Sequence, residues 1–113
     1  MIVVAGHVEL DPARRDEALR AASELFAATR AQTGCLDYVW CADPASEGRV
    51  WVYERWSDEP SLAAHLAGPW YRSMLAALGR GGLRGAEVAK YRIDRSGPVY
   101  DAAGKPRADF FTE

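Results

Sequence analysis

Residues 49–71, RVWVYERWSDEPSLAAHLAGPWY, restrict the fold more than any other part of the chain. The stretch opens with alternation: Val50, Val52, Glu54 and Trp56 fall on one side, and Trp51, Tyr53 and Arg55 on the other, the period of a strand. Pro60 then fits the first turn of a helix, and the residues before it can cap that helix. The helix carries His65 among Leu62, Ala63 and Leu66, and Gly68-Pro69 breaks it. A strand therefore runs straight into a short helix. Their corner gathers aromatic rings, a carboxylate and one of the two histidines of the chain.

The remaining elements build around this corner. Residues 2–10, rich in β-branched side chains, read as a first strand. Asp11 and Pro12 then give a helix start, with Asp11 as the N-cap. An apolar stripe of Ala18, Leu19, Ala22, Leu25, Phe26 and Thr29 carries the helix to Gln32, and Arg15, Asp16, Arg20 and Glu24 form its wet side. Asp16 and Arg20 are spaced for an i,i+4 ion pair. Gly34 serves as a left-handed stop. Residues 35–42 form a second strand, and 43–48 a hairpin loop into the third. After the helix around His65, a further helical piece spans about residues 70–78, and residues 86–93 form a fourth strand. The order β-α-β-β-α-β predicts an α+β ferredoxin-like fold, an antiparallel sheet with its helices on one face. Residues 1–94 make up that domain. Residues 95–113 are polar, with Gly97, Pro98, Gly104 and Pro106, and read as an extended C-terminal tail.

Composition narrows the function. The 113 residues suffice for one domain with one core. A formal net charge of −2 with no basic block argues against nucleic acid as a partner. No apolar run is long enough to span a bilayer, and the N-terminus lacks the features of a secretion signal, so the expected location is the cytoplasm, away from membranes. Cys35 and Cys41 lie on one strand, roughly 20 Å apart, too far for a disulfide between them. Strand faces add an expectation about assembly. The first strand shows Ile2, Val4, Val8 and Leu10 on one side but Val3 and Ala5 on the other, and the third shows Trp51 and Tyr53 opposite Val52 and Trp56. A sheet face without helices should be polar. This one carries large apolar groups, so a homodimer packed sheet against sheet is expected.

A strand ending Tyr53-Glu54-Arg55-Trp56, then Ala64-His65-Leu66 and Gly68-Pro69, after an earlier Gly34-Cys35-Leu36-Asp37-Tyr38, resembles the antibiotic biosynthesis monooxygenase domain. The resemblance covers roughly residues 1–94. It implies a dimeric α+β barrel, and a family whose members include cofactor-independent quinol and anthrone oxygenases, a phosphorylated autoinducer isomerase and haem-degrading monooxygenases. By this resemblance Trp56 matches a pocket-lining tryptophan of the anthrone oxygenases, and Trp40 stands where they carry a tyrosine. Their catalytic asparagine corresponds to Val52 and a further pocket tyrosine to Leu62. In the haem-degrading branch, His7 matches an asparagine and His65 a tryptophan, while the axial histidine falls near Met74 and Leu75 and is absent. The quinol-oxygenase and isomerase branches fit best, because histidine is common where His65 stands.

The resemblance implies a monooxygenase, without cofactor or metal, that oxidises a phenolic or quinol-type aromatic with dioxygen. A cofactor-free isomerase of a small polar metabolite and a non-catalytic dimeric accessory domain are the alternatives. His7 is expected on the helix-covered side with Val52, Glu54 and Trp56, which would gather His65, His7 and Glu54 as an acid-base set around one apolar space. Trp56, Tyr38, Trp40, Val52 and Trp70 would wall it for an aromatic substrate. Two histidines and a carboxylate are also the ligand set of non-haem iron oxygenases, but no local metal-binding spacing accompanies them. No glycine-rich dinucleotide motif follows a strand.

Overall fold

The computed structural model describes residues 1–111. It contains β1 (Ile2–Glu9), α1 (Arg15–Ser23), α2 (Phe26–Arg30), β2 (Cys35–Ala42), β3 (Arg49–Trp56), α3 (Glu59–Leu66), α4 (Pro69–Arg80) and β4 (Gly85–Arg92). The four strands form one antiparallel sheet in the order β2-β3-β1-β4. This is the ferredoxin-like α+β arrangement expected from the element order.

One of the sequence-based helices is divided. The first breaks between Ser23 and Phe26, where Glu24 and Leu25 donate back to Ala21 and Ala22, the i→i−3 pattern of a tightened turn. Ser23 Oγ also bonds the Arg20 carbonyl, which competes with helical pairing. The helix begins later than expected. Asp11 accepts from Ala13 N–H and closes a turn ahead of Arg15, so it does not cap α1. Arg20 pairs with Glu17, not with Asp16. Arg15 is not on the wet side either: its guanidinium donates to the carbonyls of Asp43, Ser46 and Arg49 and pins the β2–β3 hairpin to α1.

Alternation on the strands decides what is buried. On β3, Val50, Val52, Glu54 and Trp56 face the helices, and Val50 with Val8, Leu10, Ala18, Ala22, Met74, Ala77 and Leu78 makes the main core. Ile2, Trp56 and Leu62 form a second cluster under α3. Cys35 and Cys41 are both free thiols. The helices do not cover β4, all eight residues of which are exposed. That leaves the covered side of the sheet open along one edge. In the tail, Tyr100 bridges Pro106, and Asp101 Oδ1 accepts from Ala103 and Lys105 to close a small turn. The radius of gyration, 16.0 Å, exceeds the ~13 Å of a compact chain of this length. Among the described residues, no helix is long and apolar enough to cross a membrane.

Candidate active site

The site begins with the corner between β3 and α3. Asp58 Oδ1 accepts the Ser61 N–H at 2.8 Å and caps α3, and Pro60 occupies its first turn. Gly34, at φ 81°, lets this helix start approach β2: a Cβ there would lie 2.1 Å from Ser61 Oγ. The close approach brings the α3 side chain His65 within reach of Gln32, just upstream of Gly34. The two bond through His65 Nδ1 and Gln32 Oε1 at 2.7 Å. Taken with the amide oxygen as acceptor, this bond puts the proton on Nδ1 and the lone pair on Nε2.

His65 is 2% exposed and sits in an aromatic cage. Its ring stacks on Trp56 with centroids 4.8 Å apart, and the rings of Tyr38 and Tyr71 present their edges at 5.8 and 5.9 Å. Burial lowers its pKa and keeps the imidazole neutral. Trp56 also donates its indole N–H to Glu54 Oε1 at 2.9 Å. Glu54 is buried, and desolvation raises its carboxyl pKa against the opposing effect of that bond. Burial likewise holds the Tyr38 phenol far above its ordinary range, as a neutral hydroxyl. One tryptophan thus touches both the imidazole and the carboxyl group.

Beside them lies a cavity of about 350 Å³ between the sheet and α3–α4, within the size range of small-molecule sites. His65, Glu54, Tyr38 and Trp40 line it, as expected of site residues. Its walls are otherwise mainly apolar, with Leu62, Leu66 and Met74 among them. Four expected site residues stand elsewhere. Trp56 and Val52 are buried behind the cavity wall, where they support it without lining it. Trp70 is exposed at the start of α4, and the next residue, Tyr71, turns inward instead, as the rotation of roughly 100° per helical residue requires.

His7 is the fourth, and the larger correction. It pairs across the sheet with Trp51 and packs its ring edge on that indole at 4.9 Å, on the helix-free face. Its ring nitrogens face Glu9 and Glu87. Side chains alternate, and Ile2, Val4 and Val8 already occupy the covered side, so His7 at an odd position must point away. His7, Glu54 and His65 therefore do not converge. The two-histidine, one-carboxylate iron set fails with them, and no group of three metal-ligating side chains occurs among the described residues.

Gln32, Tyr71 and Lys90 were not singled out in the sequence. Gln32 and Tyr71 had no local signal, since each meets His65 only through tertiary packing. Lys90 had one: it falls in phase with Ala86 and Val88, on the inner side of its strand.

The fold and site together define a ferredoxin-like α+β protein with a buried acid, a neutral histidine and an apolar cavity between sheet and helices. A family model for antibiotic biosynthesis monooxygenases matches residues 1–77, and the chain belongs to that family. A candidate antibiotic biosynthesis monooxygenase from Deinococcus radiodurans is similar in fold, with a TM-score of 0.79 at 20% identity over 89% of this chain and 100% of that one. Another, from Chloroflexus aurantiacus, gives 0.66 at 28% identity over 85% and 96% of the two chains. The uncharacterized Synechocystis protein sll1783 is 23% identical over 81% of this chain, which spans only 63% of that relative's length.

Proposed function

We propose that this protein is a cofactor-independent monooxygenase that converts a phenolic or quinol-type aromatic to a quinone. The observation that carries the reading is His65: neutral, oriented by Gln32 through Nδ1, with Nε2 left to accept a proton in an apolar, aromatic-walled cavity. His65 Nε2 takes the phenol proton. The phenolate passes one electron to dioxygen, and the phenoxyl radical and superoxide combine, forming a C–O bond at a ring carbon that bears hydrogen. The imidazolium returns its proton to the peroxide. Loss of that ring hydrogen with O–O cleavage releases water and leaves the quinone. The substrate supplies all the electrons, so no external reductant is needed. A dry site favours this course, because a positioned base and excluded water are what the radical pair requires. Glu54, biased toward its neutral form, would donate a hydrogen bond to oxygen charge developing in the cavity.

A cofactor-free isomerase of a small polar metabolite is favoured only by the ammonium of Lys90 on the cavity wall; the many leucines there favour an aromatic ring. An accessory domain with a filled interior is disfavoured by the cavity itself. The reading includes a homodimer through the helix-free face. Trp51, Tyr53 and Tyr91 stand 41%, 40% and 53% exposed there, with Val3 and Ala5 between them and Val39 beside Tyr53 on the edge strand. A face of four eight-residue strands measures roughly 27 by 19 Å, so pairing two copies buries about 1,000 Å², at the threshold for a specific interface.

The test is oxygen uptake across a panel of quinols and anthrones, with product mass read under labelled dioxygen. One labelled oxygen atom gained and two hydrogens lost is the expected product. Turnover without oxygen uptake, or label found only in water, would refute oxygenation.

A further inference from the structure

The β4 wall of the cavity carries a cation that the proton chemistry leaves unused. Glu54, Val4 and Lys90 are paired in one row across β3, β1 and β4, all on the covered side of the sheet. Two strand spacings separate the carboxyl end of that row from the ammonium end, roughly 10 Å. Lys90 lines the 350 Å³ cavity and also an adjoining hollow of about 570 Å³ bounded by Ile2, Glu59, Leu62 and Arg92. It therefore stands where the two meet.

Charge pairing sets it apart from its neighbour. Arg92, the next inner-face residue of β4, is ion-paired with Glu59 on α3. Among the described residues, no carboxylate lies within ion-pairing distance of Lys90. The acid that shares its cavity, Glu54, is hydrogen-bonded to Trp56, and burial favours its neutral form. An edge-strand lysine can serve simply to discourage strand pairing. That role does not call for an apolar lip, yet Leu66 and Val88 line the cavity with Lys90 and stand 47% and 40% exposed. An apolar slot with an unpaired ammonium at one end is complementary to a flat apolar molecule with an anionic end.

We propose that Lys90 is a substrate-binding residue and that the ligand of this cavity is a bicyclic aromatic carboxylate. Its rings lie between the leucines of α3–α4 and β4, and its carboxylate rests on the Lys90 ammonium. The reacting phenol edge then points toward His65 and Glu54. This rests on the reading of the cavity as the substrate site, and it names the substrate class.

The probes are 2-naphthoate and its neutral counterpart 2-naphthamide, titrated at neutral pH by quenching of tryptophan fluorescence and confirmed by calorimetry. Naphthoate should bind about tenfold more tightly, the difference expected of a charge-assisted hydrogen bond in a partly dry site. Lys90→Met should erase the preference while leaving naphthamide binding unchanged, and Lys90→Arg should retain it. Lys90 is exposed, so both variants fold; their melting curves check this. Equal affinities, a preference that survives in Lys90→Met, or binding of neither probe would overturn the proposal. Oxygen uptake with uncharged quinols is measured alongside. Its absence while the charge preference persists counts against the oxygenase reading and not against Lys90.

Discussion

The two histidines of this chain sit on opposite faces of one sheet, and each face gives its histidine different work. His65 lies in a dry cage of Trp56, Tyr38 and Tyr71 with one neutral partner, Gln32. His7 lies on the helix-free face with Trp51, between the carboxylates of Glu9 and Glu87. Burial without a counter-charge favours the neutral, proton-accepting ring of His65. The same side chain is thus suited to proton transfer on one face and to surface electrostatics on the other.

The sharpest way to break that contrast is to remove each histidine in turn. His65→Ala should lower kcat/KM by about 10²–10⁴-fold, the usual contribution of a positioned base. His65→Gln, which keeps hydrogen bonding without basicity, should be nearly as slow. His7→Ala should leave kcat/KM within about threefold. Equal losses from the two sites would end the distinction.

The tryptophans offer a second contrast. Trp56→Ala should cost about 3–5 kcal/mol of stability in denaturant melts, because the ring is fully buried between His65 and Glu54. Trp51→Ala should cost far less folding stability and act on assembly, shifting sedimentation toward monomer at micromolar concentration. A monomeric wild type would refute the dimer outright.

Gln32 sharpens the account of His65 itself. Gln32→Leu keeps the base but frees its orientation, and kcat should fall about tenfold with little change in KM. Gln32→Glu places a carboxylate against Nδ1 and stabilises the imidazolium, so the acid limb of the kcat/KM profile should move to higher pH. In the wild type that limb lies below 6.5, since burial lowers the His65 pKa from this ordinary value.

The smallest effect is the pH dependence of stability. The lowered His65 pKa contributes stability that is intact above about 6.5 and lost as pH falls toward the folded value. Glu54 runs the other way. Its raised pKa leaves its contribution intact below 4.5 and diminishes it as pH rises toward the folded value. Glu54→Gln keeps the acceptor for Trp56 and removes this dependence. Its melting temperature should exceed that of wild type at neutral pH, with the gain vanishing by about pH 4. A gain that grows on acidification would show that Glu54 is ionised and paired in the folded protein.

Local rules made much of the fold legible. Alternation in residues 49–56 placed Val50, Val52, Glu54 and Trp56 inward, and Asp58 with Pro60 started α3, because strand period and helix capping depend on neighbours along the chain. The same alternation, applied to β1, would have placed His7 outside. The breaks in the first helix were less visible, since a stripe of alanine and leucine continues through a tightened turn. What only the tertiary structure decided was which of these residues meet. Gln32 reaches His65 because Gly34 lets α3 dock on β2, and Tyr71 completes the cage because α4 folds back beside α3. Lys90 becomes part of the cavity because β4 pairs with β1 at the open edge. Residue type and period act over a few positions, but His65, the Gln32 amide and Lys90 are brought together by contacts between segments distant in the chain.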